Sequence, residues 1–284
     1  MPTLGLTEGL LLRLAKKWIC GVDARSALDD AHVANSRGMN VVINYLGEEI
    51  RDQSVADAHL QEYLGLQQAI SSEGINGCIT VKLTQLGLGV DDARAEERLL
   101  TLVNQAAKLS QDLWLDMEGS SYLERTIDLY LRLARQRNHI GLALQSYLRR
   151  SEQDLRRLLD AGAMIRLVKG AYRESHELIF PTRAETTANF SNLMKILFDG
   201  SERFVIATHD SKLIEEARRL SDSSRVNFEF HMLKGIRDEL KAELLDSGYK
   251  VGEYLPYGDL WYSYSKRRII EHPSNILLLL RSLL

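Results

Sequence analysis

Residues 77–119 read GCITVKLTQLGLGVDDARAEERLLTLVNQAAKLSQDLWLDMEG and contain two short apolar runs separated by a longer amphipathic segment. The two runs, GCITVKLTQLG and LWLDMEG, are typical of buried β-strands. The segment between them repeats apolar residues at helical spacing, as a helix with one buried face does. A strand, a helix and a strand in this order predict a β-α-β unit with parallel strands.

Runs of the same kind recur along the chain, roughly 25 to 40 residues apart, with helical patterns such as SYLERTIDLYLRLARQR and SKLIEEARRL between them. We identify eight: MNVVINYLG, GCITVKLTQLG, LWLDMEG, IGLALQSY, MIRLVKGAY, FVIATHD, NFEFHML and VGEYLPYG. Alternating strands and helices predict an α/β protein with a parallel sheet. Eight such units favour a closed (β/α)8 barrel of the TIM type over a doubly wound sheet.

The 284 residues are predicted to form one domain, because no Pro-rich or Ser-rich linker interrupts them. Residues 1–37 are expected to form N-terminal helices that cover the outside or the bottom of the barrel, and residues 38–284 the barrel itself. The stretches LGLTEGLLLRLAKKWICG and ILLLLRSLL are interrupted by charged residues. Packing helices are therefore favoured over membrane anchors.

The composition, 45% apolar and 26% charged, is that of an ordinary globular protein. A net charge of -3 gives no overall attraction to nucleic acid or to anionic lipid, so a positive site must be local. Cys20 and Cys78 do not have the spacing of metal ligands and do not indicate an oxidising compartment. We expect a reduced, cytoplasmic protein; the sequence does not indicate its oligomeric state.

Barrels of this kind carry their chemistry at the C-terminal ends of the strands. Applied to all eight runs, this rule collects a polar set: Glu48, Lys82, Asp116, Gln145, Arg166, Lys169, Thr208, His209, Asp210, His231 and Tyr254. Strand ends are often polar, but several of these residues lie inside an apolar run. We therefore expect the set to converge on one site.

Lys82 and Arg166 are the least expected members of this set, because a charged side chain within an apolar strand needs a partner. Lys82 either faces an anion in the barrel mouth or extends its ammonium group to water. Arg166 shares one face of its strand with Val168 and Gly170. Arg166 needs an acceptor and Gly170 leaves room for a flat ligand, and a planar cofactor would meet both requirements. The alternative is that Arg166 pairs with a carboxylate of a neighbouring strand. Asp116 is a candidate partner for a cation or an amine.

A metal site at His209 and Asp210 is disfavoured, because the remaining histidines do not supply further ligands at recognisable spacing. His209 is better interpreted as a hydrogen-bonding wall of a cofactor site. The chain contains no GxGxxG after its first strand, no GxxxxGK[ST] and no GxSxG. Rossmann-type cofactor binding, P-loop phosphate chemistry and a hydrolase nucleophile are therefore disfavoured.

The segment 254–273, YLPYGDLWYSYSKRRIIEHP, combines an aromatic turn with two adjacent arginines. Trp261, Tyr264, Arg268 and Glu271 are spaced to share one face of a helix, with Arg267 at its edge. Adjacent guanidinium groups repel each other unless an anion neutralises them, and their planar geometry suits a carboxylate. The segment is interpreted as a carboxylate clamp; the alternative is a solvated basic helix.

These motifs together resemble the proline dehydrogenase family, in particular its monofunctional, FAD-dependent bacterial members. The resemblance extends from the first strand to the C-terminus and is weaker over residues 1–37. It rests on eight segments in the family's order: VKLTQLG, LDMEGS, LQSYLRR, RLVKGAYRE, ATHD, FEFHMLKG, YLPYG and WYSYSKRRIIEHP. The resemblance implies a distorted (β/α)8 barrel whose final helix lies across the mouth.

The implied reaction is the oxidation of L-proline to Δ1-pyrroline-5-carboxylate, with hydride transfer from C5 to N5 of FAD and electrons passed to a membrane quinone. This implies a cytoplasmic protein, with peripheral contact at the inner face of the membrane as an option. The implied substrate residues are Lys82, Tyr172, Leu233, Tyr254, Arg267 and Arg268, with Asp116 organising the site. The implied flavin residues are Gln145, Arg166, Val168, Lys169, Gly170, Tyr172, Thr208, His209, Asp210, His231 and Glu271.

Two positions depart from the family's common pattern. His231 stands where many members have glutamine, and Phe190 stands where tyrosine is frequent. Neither departure touches the carboxylate clamp. The resemblance also implies that Glu48 pairs with Arg267 to close the site over substrate.

Two other functions are compatible with the residues alone. An aldolase could use Lys82 or Lys169 to form a Schiff base with a phosphorylated carbonyl substrate. A binding barrel without catalytic activity could sense an amino acid or a flavin. Proline-dependent reduction of a bound yellow cofactor distinguishes the dehydrogenase from both.

Overall fold

The computed structural model describes residues 15–134, 139–224, 226–262 and 264–265 of the chain. Within them, eight parallel strands form a closed barrel in chain order, and the last strand pairs with the first. The strands are β1 Asn40–Tyr45, β2 Gly77–Lys82, β3 Leu113–Asp116, β4 Ile140–Gln145, β5 Met164–Val168, β6 Arg203–Ala207, β7 Asn227–Leu233 and β8 Lys250–Tyr257. The predicted (β/α)8 barrel is confirmed.

The described helices alternate with the strands: α1 precedes β1, and each later helix connects one strand to the next. They are α1 Ala24–Ser36, α2 Gln53–Ser72, α3 Asp92–Lys108, α4 Ser120–Ala134, α5 Ser151–Leu159, α6 Arg183–Gly200, α7 Ser211–Asp222 and α8 Asp238–Asp246. Helix α3 shows why these segments are helical: Leu99, Leu102 and Val103 form one buried face, and the Asp91 carboxylate caps the first turn by accepting from the Arg94 N–H.

Alternation along the strands separates the barrel interior from the layer beneath the helices. Val42, Cys78, Trp114, Met164 and Val205 form an apolar cluster inside the barrel. The neighbouring residues on the same strands, such as Ile43 and Ile79, belong to the larger core between the sheet and the helices. The interior cluster fills the barrel, so that polar side chains near the C-terminal strand ends border its mouth.

Helix α1 packs against β8 and β1 on the outside of the barrel. The chain before it is joined to the end of β8, because the Cys20 N–H donates to the Pro256 carbonyl at 2.8 Å and the Gly258 N–H donates to the Gly21 carbonyl at 3.0 Å. The described part of the N-terminal segment, residues 15–37, thus contacts the outside of the barrel and the end of β8. Trp18, by contrast, lies near the mouth rather than at the bottom of the barrel.

Trp18 belongs to a small apolar cluster with Ile19, Leu46, Trp261 and Tyr264. Its indole N–H donates to Ser265 Oγ at 2.9 Å, a contact across 247 positions of sequence. The N-terminal segment therefore supports the beginning of the final helical segment. Residues 266–284, which include Arg267, Arg268 and Glu271 of the predicted final helix, lie outside the described residues. Across the part of the chain that is described, no helix has both the length and the apolar character needed to span a membrane.

Candidate active site

The C-terminal ends of the strands surround a cavity of about 460 Å³, called here the mouth cavity. Its lining is Asn44, Leu46, Glu48, Lys82, Asp116, Met117, Ala143, Val168, Ala171, Tyr172, Arg173, Tyr254 and Tyr264. Seven of these residues were singled out from the sequence: Glu48, Lys82, Asp116, Val168, Tyr172, Tyr254 and Tyr264. Glu48, Lys82, Asp116 and Tyr254 come from the strand-end rule, so that this rule finds residues that do meet in space.

Asp116 is the polar centre of this cavity. Arg166 Nη2 forms an ion pair with Asp116 Oδ1, and the Tyr254 hydroxyl donates to Asp116 Oδ2 at 2.7 Å. Burial, followed by the charge of Asp116, raises the pKa of Tyr254 well above its usual value. Tyr254 is therefore a neutral hydrogen-bond donor. Asp116 fixes the positions of Arg166 on β5 and Tyr254 on β8 relative to each other.

Arg166 reaches into the barrel from β5 and is only 2% exposed. Its Nη2 also donates to Thr80 Oγ1 at 3.0 Å, and its Cζ lies 4.9 Å from the centroid of the Trp114 ring. Its other terminal nitrogen, Nη1, is buried and has no hydrogen-bond partner among the described residues. A buried donor in this position requires an acceptor from outside the described side chains.

Lys82 lies at the end of β2, where its Nζ donates to Glu48 Oε2 at 2.7 Å. The Tyr172 hydroxyl lies 3.3 Å from the same carboxylate oxygen. Lys82 therefore faces an anion inside the mouth, as one of its two sequence interpretations requires, and that anion is Glu48. The predicted pairing of Glu48 with Arg267 falls outside the described residues, as do Arg268 and Glu271.

The predicted flavin residues continue along the strand ends from β4 to β6. The Gln145 side-chain amide donates to the Met117 carbonyl at 3.3 Å, and its buried Oε1 has no partner among the described residues. Lys169 Nζ donates to Asp210 Oδ2 at 2.9 Å. Burial opposes ionisation of Asp210, but this bond, the charge of Lys169 and backbone donors of helix α7 outweigh it and lower the pKa of Asp210.

Gly170 has a backbone conformation that favours glycine, with φ +102. A Cβ atom there would lie 2.2 Å from the Tyr147 ring, so any larger residue would displace that ring or the loop. The sequence suggested that Gly170 leaves room for a flat ligand. In the structure, the positive φ and the closeness of the Tyr147 ring are what require glycine at this position. Gly170 lets the end of β5 pass close to Tyr147 beside the mouth.

His209 and Leu233 join the ends of β6 and β7. The Leu233 backbone N–H donates to His209 Nε2 at 2.9 Å, and Arg237 Nη1 donates to the His209 carbonyl at 2.6 Å. Because Nε2 accepts, the neutral ring carries its proton on Nδ1. Thr208 is buried beside them, and its Oγ1 accepts from the Asp210 N–H at 3.2 Å.

His231 is not among the residues that line the mouth cavity. It points into the barrel below the mouth, with Nε2 3.5 Å from Glu229 Oε2 and its ring edge-on to Trp114. Burial lowers the pKa of His231, although Glu229 opposes this effect. Phe190 is fully buried in α6, in the core beneath the helices.

The proline dehydrogenase family model matches residues 27–275 of the chain. The chain belongs to the proline dehydrogenase family. It is 31% identical to proline dehydrogenase 2 of Bacillus subtilis (strain 168) over 281 residues, which cover 95% of this chain and 93% of the relative. It is 33% identical to proline dehydrogenase 1 of the same organism over 273 residues, which cover 95% of this chain and 90% of that one.

A solved structure, proline utilization A (PutA) from Bdellovibrio bacteriovorus inactivated by N-propargylglycine, has the same fold with a TM-score of 0.86 and 23% identity. The superposition covers 92% of this proline dehydrogenase family member and 33% of the PutA chain. The chain thus spans about a third of the length of that protein. The likeness supports the barrel fold.

Sequence reasoning missed several residues that shape the site of this family member. Glu118 is buried and accepts from the Thr84 N–H at 3.0 Å and from the Thr84 hydroxyl, and burial raises its pKa. Thr80 and Trp114 lie inside the barrel beside Arg166. Strand alternation could have indicated the last two, because Thr80 is two positions before Lys82 and Trp114 is two before Asp116. Among the described residues, no group of His, Cys, Asp and Glu could hold a metal ion.

Proposed function

We propose that this chain oxidises L-proline to Δ1-pyrroline-5-carboxylate, the first step of proline catabolism, as an oxidoreductase acting on a CH–NH group. The observation that carries the proposal is the buried Arg166 guanidinium, with Nη2 committed to Asp116 and Thr80 and Nη1 uncommitted among the described residues. An unsatisfied buried donor costs about 1–3 kcal/mol. Its position at the mouth of a barrel of this family supports a bound molecule as the missing acceptor.

FAD is the molecule that we assign to this acceptor role. The residues fit a flavin, because Arg166 Nη1 offers a donor and Gln145 Oε1 an acceptor, as an isoalloxazine edge requires, and both atoms are buried without a partner in the described chain. Val168, Lys169, Gly170, Thr208, His209 and Asp210 would hold the remainder, with Tyr172, His231 and Glu271 as further predicted contacts. Bound FAD supplies the hydride acceptor.

The mouth cavity suits a small cyclic amino acid. Tyr254 and Tyr172 offer aromatic walls, with Leu233 as a further predicted wall, and Lys82 offers a cation for a carboxylate. Arg267 and Arg268 complete the predicted clamp. Nearby cations disfavour the protonated form of a secondary amine, and an amine is oxidised more readily when neutral. Asp116 would keep Tyr254 and Arg166 in position while the substrate is bound.

The two lysines that an aldolase would use both donate to carboxylates, Lys82 to Glu48 and Lys169 to Asp210. Schiff-base lysines instead lie in apolar pockets or beside other cations. The geometry therefore supports the dehydrogenase over the aldolase.

The deciding experiment is the absorbance spectrum of the purified protein before and after anaerobic addition of L-proline. We expect a flavin spectrum that bleaches with L-proline and stays oxidised with D-proline, the stereochemical control. The proposal would be refuted if the protein is colourless and shows no L-proline-dependent dye reduction after FAD is added. A protein trapped by borohydride with a keto substrate would favour the aldolase.

The proposal also includes a membrane quinone as electron acceptor, reached by peripheral contact from the cytoplasm, which the family resemblance supports. Anaerobic reduction of a soluble ubiquinone analogue by the L-proline-reduced protein tests this part. Dye reduction without reduction of ubiquinone or menaquinone analogues would remove the quinone and leave the proline reaction in place.

A further inference from the structure

Arg166 is held by more than its ion pair with Asp116. It lies inside the barrel at the level where the apolar interior meets the polar mouth, and four groups surround its guanidinium: Asp116, Thr80, the Trp114 ring and, at 5.8 Å, the Tyr254 ring. Asp116 and Tyr254 line the mouth cavity and are accounted for by the proposed function. Thr80 and Trp114 do not line it and have no assigned role.

Thr80 is fully buried on β2, and its hydroxyl makes two hydrogen bonds of fixed direction. Arg166 can only donate, so Thr80 Oγ1 accepts from Arg166 Nη2 at 3.0 Å. The Thr80 hydroxyl proton is thereby directed to the Trp114 carbonyl, 3.2 Å away on the adjacent strand. The hydroxyl therefore links the guanidinium to the backbone of β3, which also carries Asp116.

Trp114 supplies a flat support for the same guanidinium. The Cζ of Arg166 lies 4.9 Å from the indole centroid, within the range of a cation–π contact. The indole has room because the neighbouring position on β4 is Gly141, where a Cβ atom would lie 2.5 Å from the Trp114 ring. His231 packs against another side of Trp114 with its ring edge-on.

These contacts divide the guanidinium into a fixed side and a free side. Asp116 and Thr80 both bind Nη2, Trp114 supports the planar group, and Nη1 is left buried without a partner among the described residues. A side chain with many rotamers, such as arginine, presents one nitrogen to a ligand only if its other nitrogens are restrained.

We infer that Thr80 and Trp114 are positioning residues that restrain the Arg166 guanidinium so that Nη1 is presented to the flavin. The inference rests on the proposed function, since FAD is the ligand assigned there. A cation held against a flavin favours its reduced, more negative form. Loosening the guanidinium should therefore make bound FAD harder to reduce without removing any group that touches it.

The test compares Thr80→Val, which removes the hydroxyl at nearly constant shape, with Thr80→Ser, which keeps it. The midpoint potential of bound FAD is measured by anaerobic equilibration with a reference dye, and FAD content by absorbance after gel filtration. We expect Thr80→Val to lower the equilibrium constant for flavin reduction about tenfold, the effect of one charge-assisted hydrogen bond. For a two-electron couple this is a fall of about 30 mV. Thr80→Ser should stay within about twofold of the wild type.

Trp114→Phe gives an independent measurement, because a phenyl ring keeps an aromatic face but binds a cation less strongly than indole. We expect the equilibrium constant to fall about threefold, a smaller change than for Thr80→Val. This variant also decides the inference if Thr80→Val does not fold.

The outcomes separate the inference from the proposed function. Wild-type protein that neither retains nor accepts FAD would overturn both. Wild-type protein that binds FAD and is reduced by L-proline, with a Thr80→Val variant of unchanged potential and FAD content, would overturn the positioning role alone. Loss of FAD from Thr80→Val but not from Thr80→Ser would support the role, as would the expected fall in potential.

Discussion

The barrel contains an arginine–aspartate pair at each end, and the two pairs differ in their surroundings. At the mouth, Arg166 pairs with Asp116; at the N-terminal end of the strands, Arg203 pairs with Asp112 at 2.5 Å. Both aspartates have the same side-chain exposure, 16%, but the arginine side chains are 3% and 40% exposed. The chemistry of the pairs is the same, so burial and uncommitted atoms decide what each can do.

In the exposed pair, Arg203 and Asp112, water can hydrogen-bond to any polar atom that has no partner in the protein. Arg203 also lies 3.6 Å from Glu229, so its charge is shared between two carboxylates. The buried pair is shielded from water, and Arg166 Nη1, which has no partner in the described part of the chain, needs an acceptor. An ion pair within a barrel therefore indicates a binding site when one partner keeps a buried, uncommitted atom, and indicates stabilisation of the fold when water reaches it.

The largest effect that distinguishes the two pairs is expected for Asp116→Ala. It leaves the buried Arg166 charge without its partner, which destabilises a protein by about 3–5 kcal/mol. It also frees Tyr254, and we expect kcat/KM for L-proline to fall about 100-fold or more. Chemical denaturation and steady-state dye reduction measure the two quantities. A variant with wild-type stability and activity would show that Asp116 does not organise the mouth.

Next in size is the pH dependence due to Glu229 at the N-terminal end. Burial opposes its ionisation, but hydrogen bonds from His231 and Asn40 and the charge of Arg203 outweigh burial and lower the pKa of Glu229 to about 2. The folded value lies below the unfolded value. The stabilisation is therefore complete above the unfolded pKa and is lost as the pH falls through the folded one.

Glu229→Gln should remove this dependence, which amounts to about 3 kcal/mol of unfolding free energy between pH 4.5 and 2. Urea denaturation of both proteins across that range measures it. The change in kcat/KM for L-proline near neutral pH, expressed as a free energy, should be smaller than the change in unfolding free energy at acidic pH. An unchanged acid limb of the stability curve would mean that Glu229 is not held ionised by its neighbours.

A smaller effect, measured as substrate affinity, is expected for Lys82→Met at the mouth. Loss of one charge-assisted contact should raise the dissociation constant for L-proline about tenfold. Lys212→Met, on the exposed first turn of α7, is the matched control and should bind proline normally. Anaerobic titration of the flavin spectrum with proline measures both. Equal affinities in the two variants would remove Lys82 from the carboxylate clamp.

The smallest effect is expected for Asp112→Ala, the counterpart of Asp116→Ala at the other end of the barrel. The 40% exposed Arg203 can be solvated and keeps Glu229 nearby, so the unfolding free energy should fall by only about 1 kcal/mol. We expect kcat/KM to stay within about twofold of the wild type. A loss of activity as large as that of Asp116→Ala would contradict the contrast between the two ends.

The sequence was sufficient to predict the barrel and part of its mouth. Strand alternation and the rule of C-terminal strand ends correctly bring Lys82, Asp116 and Tyr254 to one cavity. The same reasoning did not predict that His231 lies below the mouth with Glu229 and Trp114. Alternation indicates which side chains point into the barrel, but it does not indicate whether the His231 ring turns toward the mouth or toward Glu229 below it.

Other contacts depend on residues far apart in the chain. The pairing of Lys82 with Glu48, and the contact of Trp18 with Ser265, join elements whose relative position follows only from closure of the barrel. Local patterns carry no information about such pairs, because the free energy of each contact depends on where the rest of the fold holds both partners.

The sequence by itself therefore determined the alternation of strands and helices, the family and the residue types at the strand ends, since these depend on local periodicity and on motif order. Only the tertiary structure decided which charges neutralise one another and which polar atoms remain uncommitted. Arg166 illustrates the division: its place within an apolar strand is visible in the sequence, but its restraint by Thr80, Trp114 and Asp116 requires three neighbours from two other strands. Hydrogen bonds act over about 3 Å, so their partners are set by the folded arrangement of the strands.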